Sequence, residues 1–100
     1  MALQITQTRS MFSVFGELNS ANANILSRHM QGFINPNSAV TLNLERVQAM
    51  DPSAAFTVEQ MYCGAVRDNC ILSVLGLGNT NILPVFKQTK TSYILSDDRI

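Results

Sequence analysis

Residues 70–76 read Cys-Ile-Leu-Ser-Val-Leu-Gly, a nearly unbroken apolar run closed by the turn chemistry of Gly76-Leu77-Gly78-Asn79. A strand that does not alternate polar and apolar residues has the pattern of one buried on both faces of a parallel sheet. Parallel neighbours cannot be joined by a tight hairpin and need a crossover, usually a helix. The run therefore predicts helices on either side of it and points to an α/β fold.

The flanking sequence supplies those elements. Before the run, Asp51-Pro52-Ser53 is a helix start: Asp serves as N-cap, and Pro fits the first helical position because its missing N–H has no partner there anyway. Ala55, Phe56, Val58, Met61, Tyr62, Ala65 and Val66 follow, most of them expected to face inward, and the helix should end near Asp68-Asn69. After the run, Ile82, Leu83, Val85 and Phe86 predict a short helix with Pro84 near its start, then an edge strand over Tyr93–Leu95 and a polar tail over Ser96–Arg99. Upstream, Leu3–Thr8 alternates with period 2 and Met11–Phe15 is a denser strand expected to end at Gly16, the two forming a hairpin. Asn19 or Ser20 caps a first helix with Ala21, Ile25, Leu26, Met30 and Phe33 inward and Gly32 as its stop. Ala39–Leu44 is a third strand, and Glu45–Met50 reads as a loop of mixed residues. The order β-β-α-β-α-β-α-(β) implies one small domain over residues 1–100, core about 4–95, with a mixed, mostly parallel sheet packed with helices.

Charge narrows the function classes. Seven basic and seven acidic residues cancel. The basic residues are scattered singly, without the stripe that a nucleic-acid or anionic-membrane surface carries. Low net charge leaves little colloidal repulsion, which permits a homodimer. No basic region followed by an apolar run marks the N-terminus as a signal peptide, and the longest apolar stretch is far short of the roughly 20 residues of a membrane span. Cys63 and Cys70 fit no disulfide framework or zinc spacing and read as reduced, buried, cytosolic thiols. His29 reads as a surface or packing residue, and Gly76-Leu77-Gly78 lacks the third Gly or following Lys of a phosphate loop. No pair of groups with a catalytic division of labour is visible, so an enzyme is not expected, nor is a cofactor or metal.

Three segments in order carry a resemblance. Phe15-Gly16-Glu17-Leu18-Asn19 before a capped helix resembles the Gly-Glu-Leu-Asp segment of STAS domains, the anti-sigma-factor antagonists of bacteria. Val40-Thr41-Leu42-Asn43-Leu44 is similar to their central strand, and Met50-Asp51-Pro52-Ser53-Ala54 falls where the family has Asp-Ser-Ser-Gly. The resemblance covers about residues 4–95. It implies a cytoplasmic regulatory protein that binds a partner acting both as anti-sigma factor and as serine kinase. It also implies phosphorylation at Ser53, the position of the family's second Ser. The docking face it implies comprises Asn19, Ser20, Asp51, Pro52, Ser53, Ala54 and Ala55. Asn19 and Asn43 stand where the family has Asp, Pro52 replaces the first Ser, and Ala54 replaces Gly. These changes remove two carboxylates, stiffen the turn and add a methyl group. The same resemblance leaves open a second reading, a constitutive STAS subunit like that of bacterial lipid-transport ABC systems, which needs the docking face but no kinase site.

Overall fold

A computed structural model describes residues 2–96. The chain runs β1 (Gln4–Thr8), β2 (Met11–Leu18), α1 (Ala23–Gln31), β3 (Ala39–Met50), α2 (Pro52–Arg67), β4 (Ile71–Leu75), α3 (Leu83–Gln88), a 3-10 turn (Ser92–Ile94) and β5 (Leu95–Ser96). The strands and α-helices follow the expected order, but the edge strand expected over Tyr93–Leu95 is a 3-10 turn through Ile94 and a strand over Leu95–Ser96. Of the polar tail expected over Ser96–Arg99, residues 97–99 lie outside the described residues.

The sheet order is β1-β2-β3-β4-β5; β1 pairs antiparallel with β2 and every other pair is parallel. Because the strands follow one another without reversal, each right-handed crossover places its helix on the same face. The helices accordingly form one layer, with α2 packed against both α1 and α3. Phe12, Val14, Leu42, Leu44 and Val74 on the sheet meet Leu26, Met30, Ala55, Val58 and Phe86 on the helices, all nearly inaccessible to solvent. The opposite face is only partly covered. That corrects the expectation for β4, which is not sealed on both sides: Leu72 and Val74 are buried, Ser73 is half-buried, and Ile71 is 68% exposed at the strand's open end.

Three further expectations are corrected. Strand β2 does not end at Gly16 but continues to Leu18, with Gly16 at φ +90. Residues 45–50 are not a loop but the second half of β3. Here β3 carries extra residues relative to β2: the register passes from Ser13 opposite Asn43 to Phe15 opposite Arg46, then from Gly16 opposite Val47 to Glu17 opposite Ala49. Two bulges break the alternation, so the buried positions run Leu42, Leu44, Val47 instead of every second residue. Finally, the inward stripe of α1 is Ala23, Leu26 and Met30, while Ile25 and Phe33 are exposed; on α2 Phe56 and Val66 point outward and Ala54 joins the core.

Candidate functional site

The sequence-predicted residues converge where the C-terminal ends of β2 and β3 meet the start of α2. Glu17 lies opposite Ala49 and Leu18 opposite Met50, so the chain leaves the two parallel strands side by side. The Asp51 N–H donates to the Leu18 carbonyl at 3.1 Å, extending that pairing one residue further.

Asp51 is the N-cap of α2, in extended backbone conformation, with Pro52 at the first helical position. Its carboxylate is divided between two elements. Oδ1 accepts the Ala54 N–H at 2.9 Å, the capping bond, and Oδ2 accepts the Ser20 N–H at 3.0 Å from the loop after β2. Replacing Asp51 by Ala removes both acceptors. The expected loss is about 1–2 kcal/mol of folding stability, read as a lower urea midpoint at unchanged m-value.

The loop itself is tied internally by two asparagines. Asn19 Oδ1 accepts the N–H groups of Ala21 (2.9 Å) and Asn22 (3.2 Å), and the Asn19 N–H donates to Asn22 Oδ1 at 2.9 Å. Asn22 Nδ2 reaches back to the Glu17 carbonyl at 2.9 Å. Helix α1 has Asn22 rather than Asn19 or Ser20 at its N-cap position, without a side-chain cap bond. Asn19 thus shapes the turn ahead of the helix, and Asn22 was the residue the sequence reading missed; its signal was the Asn-x-x-Asn spacing.

Ser20, Pro52 and Ser53 are exposed, while Asn19 and Asp51 are half-buried between them. Ala54 and Ala55 are fully buried, so they support the face from beneath and offer it no surface, which corrects their place in the expected docking set. Phe56, one turn beyond Ser53, takes that outward role with 47% exposure. A shallow depression of about 200 Å³, lined by Glu17, Leu18, Asn19, Ala49, Met50 and Asp51, adjoins the turn. Ser53 occupies the first turn of α2, where backbone N–H groups have no carbonyl four residues earlier within the helix and the helix dipole favours negative charge.

Asn79 is the other functional residue that sequence alone does not mark, since Gly76-Leu77-Gly78-Asn79 reads as turn chemistry. It is nearly buried. Its Nδ2 donates to the carbonyls of Leu44 and Val47, both at 2.9 Å, and of Glu45 at 3.3 Å. The β3–β4 pairing stops at Asn43 opposite Leu75, and Asn79 supplies donors to the strand beyond that point. It thereby holds the bulged half of β3 that delivers Met50 and Asp51 to the site.

The remaining polar groups lie elsewhere. Cys70 is buried, its sulfur 3.3 Å from Ser38 Oγ, but Cys63 is exposed on α2, contrary to expectation. Its sulfur is 3.9 Å from the Tyr93 hydroxyl, which donates to Glu59 Oε2 at 2.6 Å. The bond to Glu59, with Cys63 adding to it, holds the Tyr93 phenol above its ordinary pKa. His29 is exposed, its ring against Phe12 and Phe33. Among the described residues no three His, Cys, Asp or Glu side chains group as metal ligands, and no helix is long and apolar enough to cross a membrane.

This arrangement defines a class: the chain has the STAS fold, the fold of the anti-sigma factor antagonists. It resembles the anti-sigma factor antagonist SpoIIAA in its unphosphorylated form, with a TM-score of 0.63, 19% identity and coverage of 97% of this chain and 88% of that one. An anti-sigma factor antagonist from Mycobacterium paratuberculosis aligns with a TM-score of 0.73 at 15% identity, over 98% of this chain and 86% of the other. A candidate antagonist from Thermotoga maritima gives 0.67 at 14% identity, over 94% and 83% respectively. No sequence-family model and no curated protein sequence matches the chain.

Proposed function

We propose that this chain is a non-catalytic, cytoplasmic, protein-binding regulator of the anti-sigma factor antagonist type. Its docking face is the rim formed by Ser20, Pro52, Ser53 and Phe56 over Asn19 and Asp51. The observation that carries this reading is the placement of Ser53: exposed, in the first turn of α2, and beside a loop tied to the same turn by Asp51. A partner that covers this rim buries Ser53 and is sensitive to any charge placed on it.

Ser53 is the switch in this reading, and the partner is an anti-sigma factor with serine-kinase activity. Its Oγ forms a bond to the γ-phosphorus of a nucleoside triphosphate as the bond to the β-phosphate oxygen breaks. The nucleoside diphosphate leaves, and the hydroxyl proton passes to a base of the kinase. The product adds a charge of about −1.5 to −2 at neutral pH, in contact with a surface that must be desolvated for docking. Unmodified chain captures the partner; modified chain releases it.

A second reading, a constitutive subunit of a lipid-transport ABC system, is favoured by Pro52 at the first helical position, which stiffens the turn that a kinase must approach. Affinity capture of the tagged chain from its native host separates the two. Recovery of a kinase-like anti-sigma factor whose affinity falls roughly tenfold or more with Ser53→Asp supports the switch, since an unpaired charge in an interface costs that much. Recovery of permease and ATPase subunits, unaffected by that substitution, overturns it in favour of the constitutive subunit.

A further inference from the structure

We propose that Asp51 relays the modification state of Ser53 to the loop between β2 and α1, so that a phosphate on one segment releases the other. The inference rests on the reading of Ser53 as a modification site, and it concerns how that modification acts within the chain.

The Asp51 carboxylate holds the two segments together through separate oxygens, Oδ1 on the Ala54 N–H and Oδ2 on the Ser20 N–H. The bonds of Asn19 and Asn22 keep the loop a compact unit and link it to itself, to the first turn of α1 and to the end of β2 at Glu17. The Ser20–Asp51 bond ties the loop's outer turn to α2. A phosphate on Ser53 places a dianion and strong acceptor oxygens two residues from this carboxylate. It competes with Oδ1 for the N–H groups of the first turn, which phosphate binds well, and like charge repels the carboxylate in a partly shielded place. Both effects turn Asp51 away from its present position. The Ser20 N–H then loses its acceptor, and the 19–22 unit is freed. The docking face is assembled from both segments, so phosphate alters its shape as well as its charge.

The test uses full-length chain with phosphoserine installed at position 53 during synthesis, so that neither a kinase nor a partner is needed. Amide shifts and hydrogen exchange of Ser20 and Ala54 are read by NMR in the unmodified chain, the phosphorylated chain and Asp51→Ala. Phosphorylation is expected to shift the Ser20 amide and raise its exchange about tenfold or more, the loss expected for one bond to a charged acceptor. An Ala side chain offers no acceptor, so Asp51→Ala frees both the Ser20 and the Ala54 N–H groups without phosphate. Phosphorylation in that background should add little at Ser20. A Ser20 amide unchanged by phosphoserine, or changed equally in the Asp51→Ala background, overturns the relay. Failure of the chain to be phosphorylated by any kinase would instead count against the switch reading and leave this result standing.

Discussion

Replacing Asn79 by alanine is expected to destabilise the protein by about 3 kcal/mol, because buried carbonyls are left without donors. The side chain gives Nδ2 to the oxygens of Leu44, Glu45 and Val47, on the part of β3 that has no β4 partner. Its Oδ1 also accepts the Asn81 N–H at 2.9 Å, shaping the turn that leads into α3. One side chain thus closes the hydrogen bonding of the bulged strand and of the following turn. The substitution also shortens a nearly buried residue, so water enters to serve the carbonyls and part of the loss is recovered; without such entry the cost would be higher. Urea denaturation reads the change as a lower midpoint, and a drop under about 1 kcal/mol would show that β3 does not depend on this bond set.

Asn79→Asp separates hydrogen bonding from volume. The carboxylate keeps an acceptor for Asn81 but turns a second acceptor toward the carbonyls, which disfavours the charged form and raises the folded-state pKa. A raised acid is stable in the fold when protonated. Stability relative to the parent should therefore be greatest below the unfolded pKa of about 3.9 and fall as pH rises from there through the folded value. Alanine at the same position gives no such pH dependence.

Asn79 also shows what sequence alone conveys here and what it does not. The order of elements is legible because each is marked locally: Asp51-Pro52 opens α2, Gly32 closes α1, and the apolar run at 71–75 is a strand whatever surrounds it. The bulges in β3 are not legible. Their extra residues shift the buried positions from Leu44 to Val47, which destroys the period-2 signal over 45–50, and the compensating donor lies over thirty residues away in sequence. Burial at Ile25 and Phe56 is misjudged for a related reason: a sheet covered on one face leaves each helix a broad outer surface, and apolar spacing alone does not say which edge of the stripe is inside. The site divides in the same way. Asp51 as N-cap and Ser53 in the first turn follow from adjacent residues. The Ser20–Asp51 bond joins positions 31 residues apart and depends on the strand register that brings them together.

That register begins at Gly16, and Gly16→Ala is expected to cost about 3 kcal/mol, from backbone strain of about 1–3 kcal/mol plus overpacking of similar size. At φ +90 a side chain is strained whatever space it has. Space is also lacking: an added Cβ would overlap the Ala2 carbonyl oxygen and lie 3.1 Å from its carbon, both backbone atoms of the segment ahead of β1. The two contributions separate in a chain that begins at Gln4. There the contact is gone, and Gly16→Ala should cost only the backbone strain, measured against the shortened parent. If the cost is the same in both chains, the Ala2 contact plays no part. The consequence for the site is specific. Gly16 sits at the second register shift, after which Leu18 faces Met50 and the Asp51 N–H reaches the Leu18 carbonyl. If alanine removes the bulge, the end of β2 moves by one residue against β3, and the Ser20 N–H no longer meets Asp51 Oδ2. On the proposed reading of the Ser53 rim as a docking face, partner binding should therefore fall with Gly16→Ala in a chain that still folds, even though the side chain lies outside that rim. Unchanged affinity in a folded Gly16→Ala chain would mean that the register is held by the bulge at Asn43–Arg46 and by Asn79 alone.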